Sequence, residues 1–115
     1  MRLRLPLLSL LLLSACQPQG SAPAPIKPLV PADAALASLY AQTCGSCHSR
    51  PGTGAPMPGD TAAWQARLAQ GEAVLLAHTV NGYRGMPAMG ACADCSEEDF
   101  RRLIAFLARG EGAAP

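Results

Sequence analysis

Cys44-Gly45-Ser46-Cys47-His48 is the stretch on which the reading of this chain turns. Cysteines three apart lie one helical turn apart, so their thiols project to the same side, and the histidine that follows is carried toward the same place. C-x-x-C-H is the attachment signature of c-type haem. The two thiols bond the two vinyl groups of one porphyrin, and the imidazole meets the iron. The motif also occurs by chance in zinc sites and thiol oxidoreductases, so the rest of the chain must decide between them.

Export is the first deciding feature, because haem c is attached outside the cytoplasm. Residues 1–15 carry a basic start (Arg2, Arg4) and an apolar run from Leu5 to Leu13 interrupted only by Pro6 and Ser9. That is the pattern of a signal peptide. A spanning helix needs about 20 apolar residues, and this run is far shorter. The segment ends Leu13-Ser14-Ala15-Cys16, which resembles the lipobox of bacterial lipoproteins. The resemblance implies lipidation of Cys16, and two or more acyl chains give stable anchoring. An ordinary secretory cut near Ala15 would instead leave Cys16 as a lone thiol in an oxidising compartment.

Residues 17–31 contain five prolines with Gly20, Ser21 and alanines between them, so residues 16–31 read as a lipidated cysteine and a linker. A polyproline-like chain rises about 3.1 Å per residue, which gives such a linker a reach of roughly 45 Å. Residues 32–109 form the folded domain, and residues 110–115 are a tail.

The chain has 115 residues, of which Trp64, Tyr40, Tyr83, Phe100 and Phe106 are the only aromatics. A domain this small and this poor in large apolar side chains needs a staple: disulfides, a metal or a cofactor. The formal charge is +1, from nine Lys and Arg against eight Asp and Glu. Loss of Arg2 and Arg4 with the signal peptide leaves seven against eight, close to neutral. Arg101-Arg102 is the only adjacent basic pair, so there is no footprint for nucleic acid.

The folded segment reads as helical throughout. Ala32 to Tyr40 places Leu36, Leu39 and Tyr40 at helical spacing behind Pro31. Asp60 is an N-cap candidate for a helix over Thr61 to Gln70, closed by Gly71. Glu72 to Asn81 makes a third helix ending at Gly82. Ser96 and Asp99 have the spacing of a capping box, and Phe100, Leu103, Ile104 and Leu107 follow at i, i+3, i+4 and i+7. No sustained alternation of β-branched residues occurs, and the Gly and Pro clusters at 51–59 and 82–90 read as loops. The expected fold is all-α: about four helices around one covalently attached haem.

A haem held by His48 needs a partner for the other ring nitrogen, which fixes the imidazole's orientation. A proline carbonyl in the next loop fits; Pro56 and Pro51 are the candidates, and Pro56 is preferred for its distance past His48. The sixth ligand is expected to be a methionine. Met86, in Gly82-Tyr83-Arg84-Gly85-Met86-Pro87, has little helix face to pack and is the first candidate, with Met89 as its rival. Met57 follows His48 too closely to reach the opposite face. A His/Met-ligated iron is closed to substrate and carries a raised reduction potential, so the expected chemistry is one-electron transfer rather than catalysis.

The order Gly54-Ala55-Pro56, Gly59-Asp60, Trp64, Arg67-Leu68-Ala69-Gln70-Gly71, Asn81-Gly82, Gly85-Met86-Pro87 and Cys92-Ala93-Asp94-Cys95 resembles the cytochrome c-five group of class I cytochromes. The resemblance covers about residues 32–109. It implies His48 and Met86 as the axial pair, Cys44 and Cys47 as thioether carriers, and a small disulfide between Cys92 and Cys95. It also implies that Trp64 and Arg67 donate to a haem propionate; the alternatives are core packing for Trp64 and a solvated Arg67. His78 reads as a packed or surface histidine. Where members of the group often carry a larger basic residue, this chain has Ala88-Met89, which keeps Met89 in play.

The leading expectation is a monomeric, monohaem electron carrier, lipid-anchored on the outer face of a bacterial membrane, that meets redox proteins through brief docking. A zinc module built from Cys44, Cys47, Cys92 and Cys95 is the rival from another class. A haem domain serving as a sensor or as an accessory subunit of a redox enzyme is the third.

Overall fold

The computed structural model describes residues 28–110. The expected signal peptide, the lipidated Cys16, the linker up to residue 27 and residues 111–115 lie outside the described residues. The elements in chain order are α1 (Ala34–Gln42), α2 (Gly45–His48), α3 (Thr61–Leu68), α4 (Glu72–Asn81), a 3-10 turn (Ala88–Ala91) and α5 (Glu97–Arg109). Among the described residues the sole β feature is an isolated antiparallel bridge between Tyr83 and Met86.

Helix α5 is the strut against which the others are built, touching α1, α3 and α4. Its start is fixed by a capping box. Ser96 Oγ accepts from the Asp99 N–H at 3.2 Å, and Asp99 Oδ2 accepts from the Ser96 N–H at 2.9 Å. Phe100, Leu103, Ile104, Phe106 and Leu107 then bury one continuous face, with Phe106 wholly enclosed. Burial of such side chains contributes about 1.5–3 kcal/mol each. Tyr40 of α1 meets Phe106 edge-on, with ring centroids 5.0 Å apart and planes at 75°, which joins the first and last helices.

The C-terminus of α5 closes on the loop that follows the C-x-x-C-H turn. Gly59 N–H donates to the Leu107 carbonyl at 2.8 Å. A Cβ on Gly110, whose φ is 72°, would sit 2.9 Å from Gly59 Cα. Two glycines are needed where these backbones cross.

Several element boundaries differ from the sequence reading, and each has a local cause. Helix α1 begins two residues later than expected because Asp33 caps it, its carboxylate accepting from the Leu36 N–H at 2.8 Å. Helix α3 ends at Leu68 because Gln70 N–H and Gly71 N–H turn back onto the Arg67 and Leu68 carbonyls, each at 3.0 Å, in three-residue turns. Gly45–His48 forms a helical turn of its own, α2, so among the described residues there are five α-helices with this short one included.

Candidate functional site

Helix α2 presents its two cysteines differently. Cys44 is buried against the core and Cys47 is exposed. Burial pushes the Cys44 thiol up, partly offset by the Thr43 hydroxyl 3.6 Å from its sulfur. Gly45 between them is forced by close approach: a Cβ there would lie 2.8 Å from the Tyr40 carbonyl oxygen.

His48 is buried, and its Nδ1 lies 2.8 Å from the carbonyl oxygen of Pro56. A carbonyl can only accept, so Nδ1 carries the proton and Nε2 is left with a free lone pair. Burial is the main reason its pKa falls; the nearby Arg67 cation lowers it further, against the raising effect of the Pro56 carbonyl. The ring is thereby held neutral with Nε2 as a donor atom for a metal. Pro51, the other carbonyl considered, stands exposed at the start of this loop.

Trp64 is 5 % exposed, and its indole N–H donates to the carbonyl of Met57 at 2.8 Å. The expected bond to a haem propionate therefore finds this donor already committed. Instead, Trp64 holds the loop at the residue next to Pro56, with its ring nearly parallel to His48 (25°) and the centroids 6.2 Å apart. Sequence reasoning weighed Met57 for its sulfur; its backbone oxygen is what the structure uses. Arg67, half-buried one turn beyond Trp64, bonds back to the Ala63 carbonyl and has its charge near His48.

On the other side, the loop after α4 closes a four-residue hairpin. Tyr83 N–H donates to the Met86 carbonyl at 3.1 Å, and Met86 N–H to the Tyr83 carbonyl at 2.9 Å. Pro87 biases Met86 toward the extended conformation that this bridge requires. Three non-glycine residues, Arg84, Met89 and Ala91, have φ of 55°, 58° and 61°. Left-handed backbone costs roughly 1–2 kcal/mol per such residue, and here it is concentrated in one loop.

Met86 and Met89 go to different places. The Met86 methyl and the Cys44 sulfur both border Gly90: a Cβ there would be 3.4 Å from Met86 Cε, 3.7 Å from Thr79 Cγ2 and 4.0 Å from Cys44 Sγ. Met89 packs on the core cluster, which includes Leu36, Tyr40 and Cys44. Gly90 escaped the sequence reading because nothing in its neighbours marks a site of close approach.

Cys92 and Cys95 are joined by a disulfide immediately before α5. Both are buried, and neither has a thiolate to offer a metal. That removes the four-thiolate zinc arrangement. Among the described residues no group of three or more His, Cys, Asp or Glu side chains is placed to hold an ion. Two thiols on one turn, an imidazole with a free Nε2 and a thioether that borders the same glycine as the buried cysteine suit a covalently attached, axially ligated haem.

Comparison with known proteins points the same way. Residues 31–107 match the family described as cytochrome c oxidase, cbb3-type, subunit III. The chain is 41 % identical over 68 residues to cytochrome c5 of Ectopseudomonas mendocina, covering 57 % of this chain and 78 % of that protein. It is 36 % identical over 78 residues to cytochrome c-555 of Chlorobaculum tepidum, covering 64 % and 72 %. Among solved structures it is similar to a chain in the crystal structure of the electron transfer complex of nitrite reductase with cytochrome c. There the identity is 38 % and the TM-score 0.58, over 67 % of this chain and 98 % of that one.

Proposed function

Since the chain belongs to the class I c-type cytochromes of the cytochrome c5 group and carries one covalent haem c as a monohaem electron carrier, we propose that it works outside the cytoplasm with His48 and Met86 as its axial ligands. The haem, when bound, would supply one-electron exchange, with His48 and Met86 as the residues that would hold its iron. The remaining roles belong to the chain's own side chains. Cys44 and Cys47 carry the thioether bonds, and His48 offers Nε2 because Pro56 holds Nδ1. Trp64 keeps that loop in place, and Arg67 supplies a positive charge beside the proximal ring, suited to a propionate.

The observation that carries the ligand assignment is that the Met86 methyl and the Cys44 sulfur both border Gly90. Met89, turned onto the core cluster, has a packing role instead.

Residues 1–15 and Cys16 support export and lipid anchoring, with the proline-rich segment as the tether; no helix among the described residues is long and apolar enough to cross a membrane. A domain on such a tether reaches partners by swinging, as a monomer, and docks briefly through small interfaces, under about 1,200 Å². A terminal reductase is a fitting partner class, since the similar solved chain is a cytochrome c in complex with nitrite reductase. The matched family description favours a second reading, in which the domain passes electrons as an accessory subunit of an oxidase.

The test is the visible spectrum of protein made in a host that attaches haem c, taken with and without dithionite and with carbon monoxide. Sharp reduced bands without a carbon monoxide response are expected. A colourless protein with stoichiometric zinc, or a reduced form that takes up carbon monoxide, would overturn the assignment.

A further inference from the structure

The loop that carries Met86 holds a group of side chains for which haem ligation has no use. Tyr83 stacks on His78 of α4 with centroids 4.0 Å apart and planes at 20°, and the Arg84 guanidinium carbon lies 5.2 Å from the centroid of the Tyr83 ring. Tyr83 is 41 % exposed. The paired hydrogen bonds between Tyr83 and Met86 tie this stack directly to the candidate ligand.

Arg84 is an expensive choice for its position. Its φ of 55° lies where glycine or asparagine is accommodated at less cost. The cation–π contact with Tyr83 offsets part of that cost, while among the described residues the ion pairs engage Arg101 and Arg102. Residues 82–91 include no acidic side chain. The one carboxylate of α4, Glu72, sits at its far end and is held by Arg101. Among the described residues that follow α4, the acidic side chains are Asp94, Glu97, Glu98 and Asp99, around the start of α5. Among the described residues no ion pair engages Arg84, so its positive charge stands on the methionine loop of a nearly neutral protein.

We propose that the His78–Tyr83–Arg84 stack is the contact platform for a redox partner, and that the surface it fits is a carboxylate-rich one around the partner's electron-accepting centre. The proposal rests on the electron-carrier reading. A ring held flat by His78 loses little rotamer freedom on docking, and tyrosine and arginine dominate binding energy at interfaces. The guanidinium fork matches a carboxylate in two parallel hydrogen bonds. A single charge at the contact point steers encounter even where net charge does not.

The test uses the reduced holoprotein of the full chain and hexacyanoferrate(III) as an anionic acceptor. Each protein molecule gives up one electron, hexacyanoferrate(III) becomes hexacyanoferrate(II), and no proton moves. Arg84→Asn removes the charge and tolerates the backbone, and it is expected to slow this oxidation severalfold at low salt. Arg84→Lys should retain most of the rate, and the cationic oxidant tris(phenanthroline)cobalt(III) should not be slowed by Arg84→Asn. Independently of turnover, hexacyanochromate(III) should broaden the Tyr83 and Arg84 amide resonances. Wild-type rates in Arg84→Asn, or broadening centred near Arg50 instead, would overturn the platform. Self-association that Arg84→Asn abolishes would overturn it too, by assigning the face to a second copy of the chain. Failure of the carrier reading shows separately, as missing haem bands in the spectrum of the unsubstituted protein.

Discussion

His48 Nδ1 lies 2.8 Å from the Pro56 carbonyl oxygen, and the next carbonyl along, that of Met57, lies 2.8 Å from Trp64 Nε1. Two consecutive backbone oxygens are thus taken by two rings that lie nearly parallel. His48 and Trp64 are not independent: each holds the same piece of loop, and Trp64 orients His48 through it.

Trp64→Phe keeps the ring against the core and removes the N–H, leaving the Met57 carbonyl with the Asp60 N–H at 3.2 Å as its remaining donor. Loss of one such hydrogen bond costs about 0.5–1.5 kcal/mol. For a domain of this size each kcal/mol moves Tm by roughly 4–8 °C. Thermal unfolding of the holoprotein should show a loss in that range, accompanied by a change in reduction potential because His48 is less firmly oriented. A lowered Tm with an unchanged potential would reduce Trp64 to a packing residue.

The two methionines of the loop should separate cleanly. Met86→His replaces a thioether by an imidazole and should lower the reduction potential by about 0.1 V or more, within the roughly 0.8 V that axial ligands span. Met89→Leu is nearly volume-conserving and should cost less than about 1.5 kcal/mol with the potential untouched. Potentiometric titration of both variants decides between them, and the reverse pattern would make Met89 the ligand.

Replacing both Cys92 and Cys95 with serine should destabilise the protein by about 2 kcal/mol, since the closed loop is short and loop closure scales only with the logarithm of its length. Haem attachment depends on Cys44 and Cys47 and should persist. A thiol assay on the denatured, unreduced domain should find none of Cys44, Cys47, Cys92 and Cys95 reactive.

The capping box gives α5 an acid-sensitive start. The Ser96 side chain and, next, its backbone N–H hold the Asp99 carboxyl below the usual carboxylate range. A depressed folded pKa means that the unfolded chain binds the proton more readily. The Asp99 contribution is therefore complete above the unfolded value near pH 4 and is lost as pH falls through the folded one. Ser96→Ala should cost about 1 kcal/mol at neutral pH, and that gap should narrow below about pH 4. Denaturant titrations at pH 7 and pH 3 measure both quantities.

Much of this architecture is legible along the chain because its signals are local. Thiols one turn apart with a histidine after them need no tertiary contact to be read. Ser96 with Asp99, and Phe100, Leu103, Ile104 and Leu107 behind them, specify α5 from spacing alone. Asp60 and Gly71 bracket α3 to within a few residues. The residues whose roles depend on contacts across space were a different matter. Trp64 shows an aromatic ring in sequence but not that its N–H is spent on Met57. Met86 and Met89 are chemically identical and three residues apart, and only the folded loop, left-handed at Arg84, Met89 and Ala91, sets the Met86 methyl beside Gly90 and Met89 against the core cluster. Gly90 in turn borders Thr79 of α4, a contact across space that no local pattern encodes. The sequence by itself determined the four longer helices, the candidate attachment motif Cys44 to His48 and the class of chemistry, because each follows from periodicity or from neighbouring residues. The tertiary structure alone decided which loop atoms face one another across the site, because those distances are set by the packing of the other helices against α5.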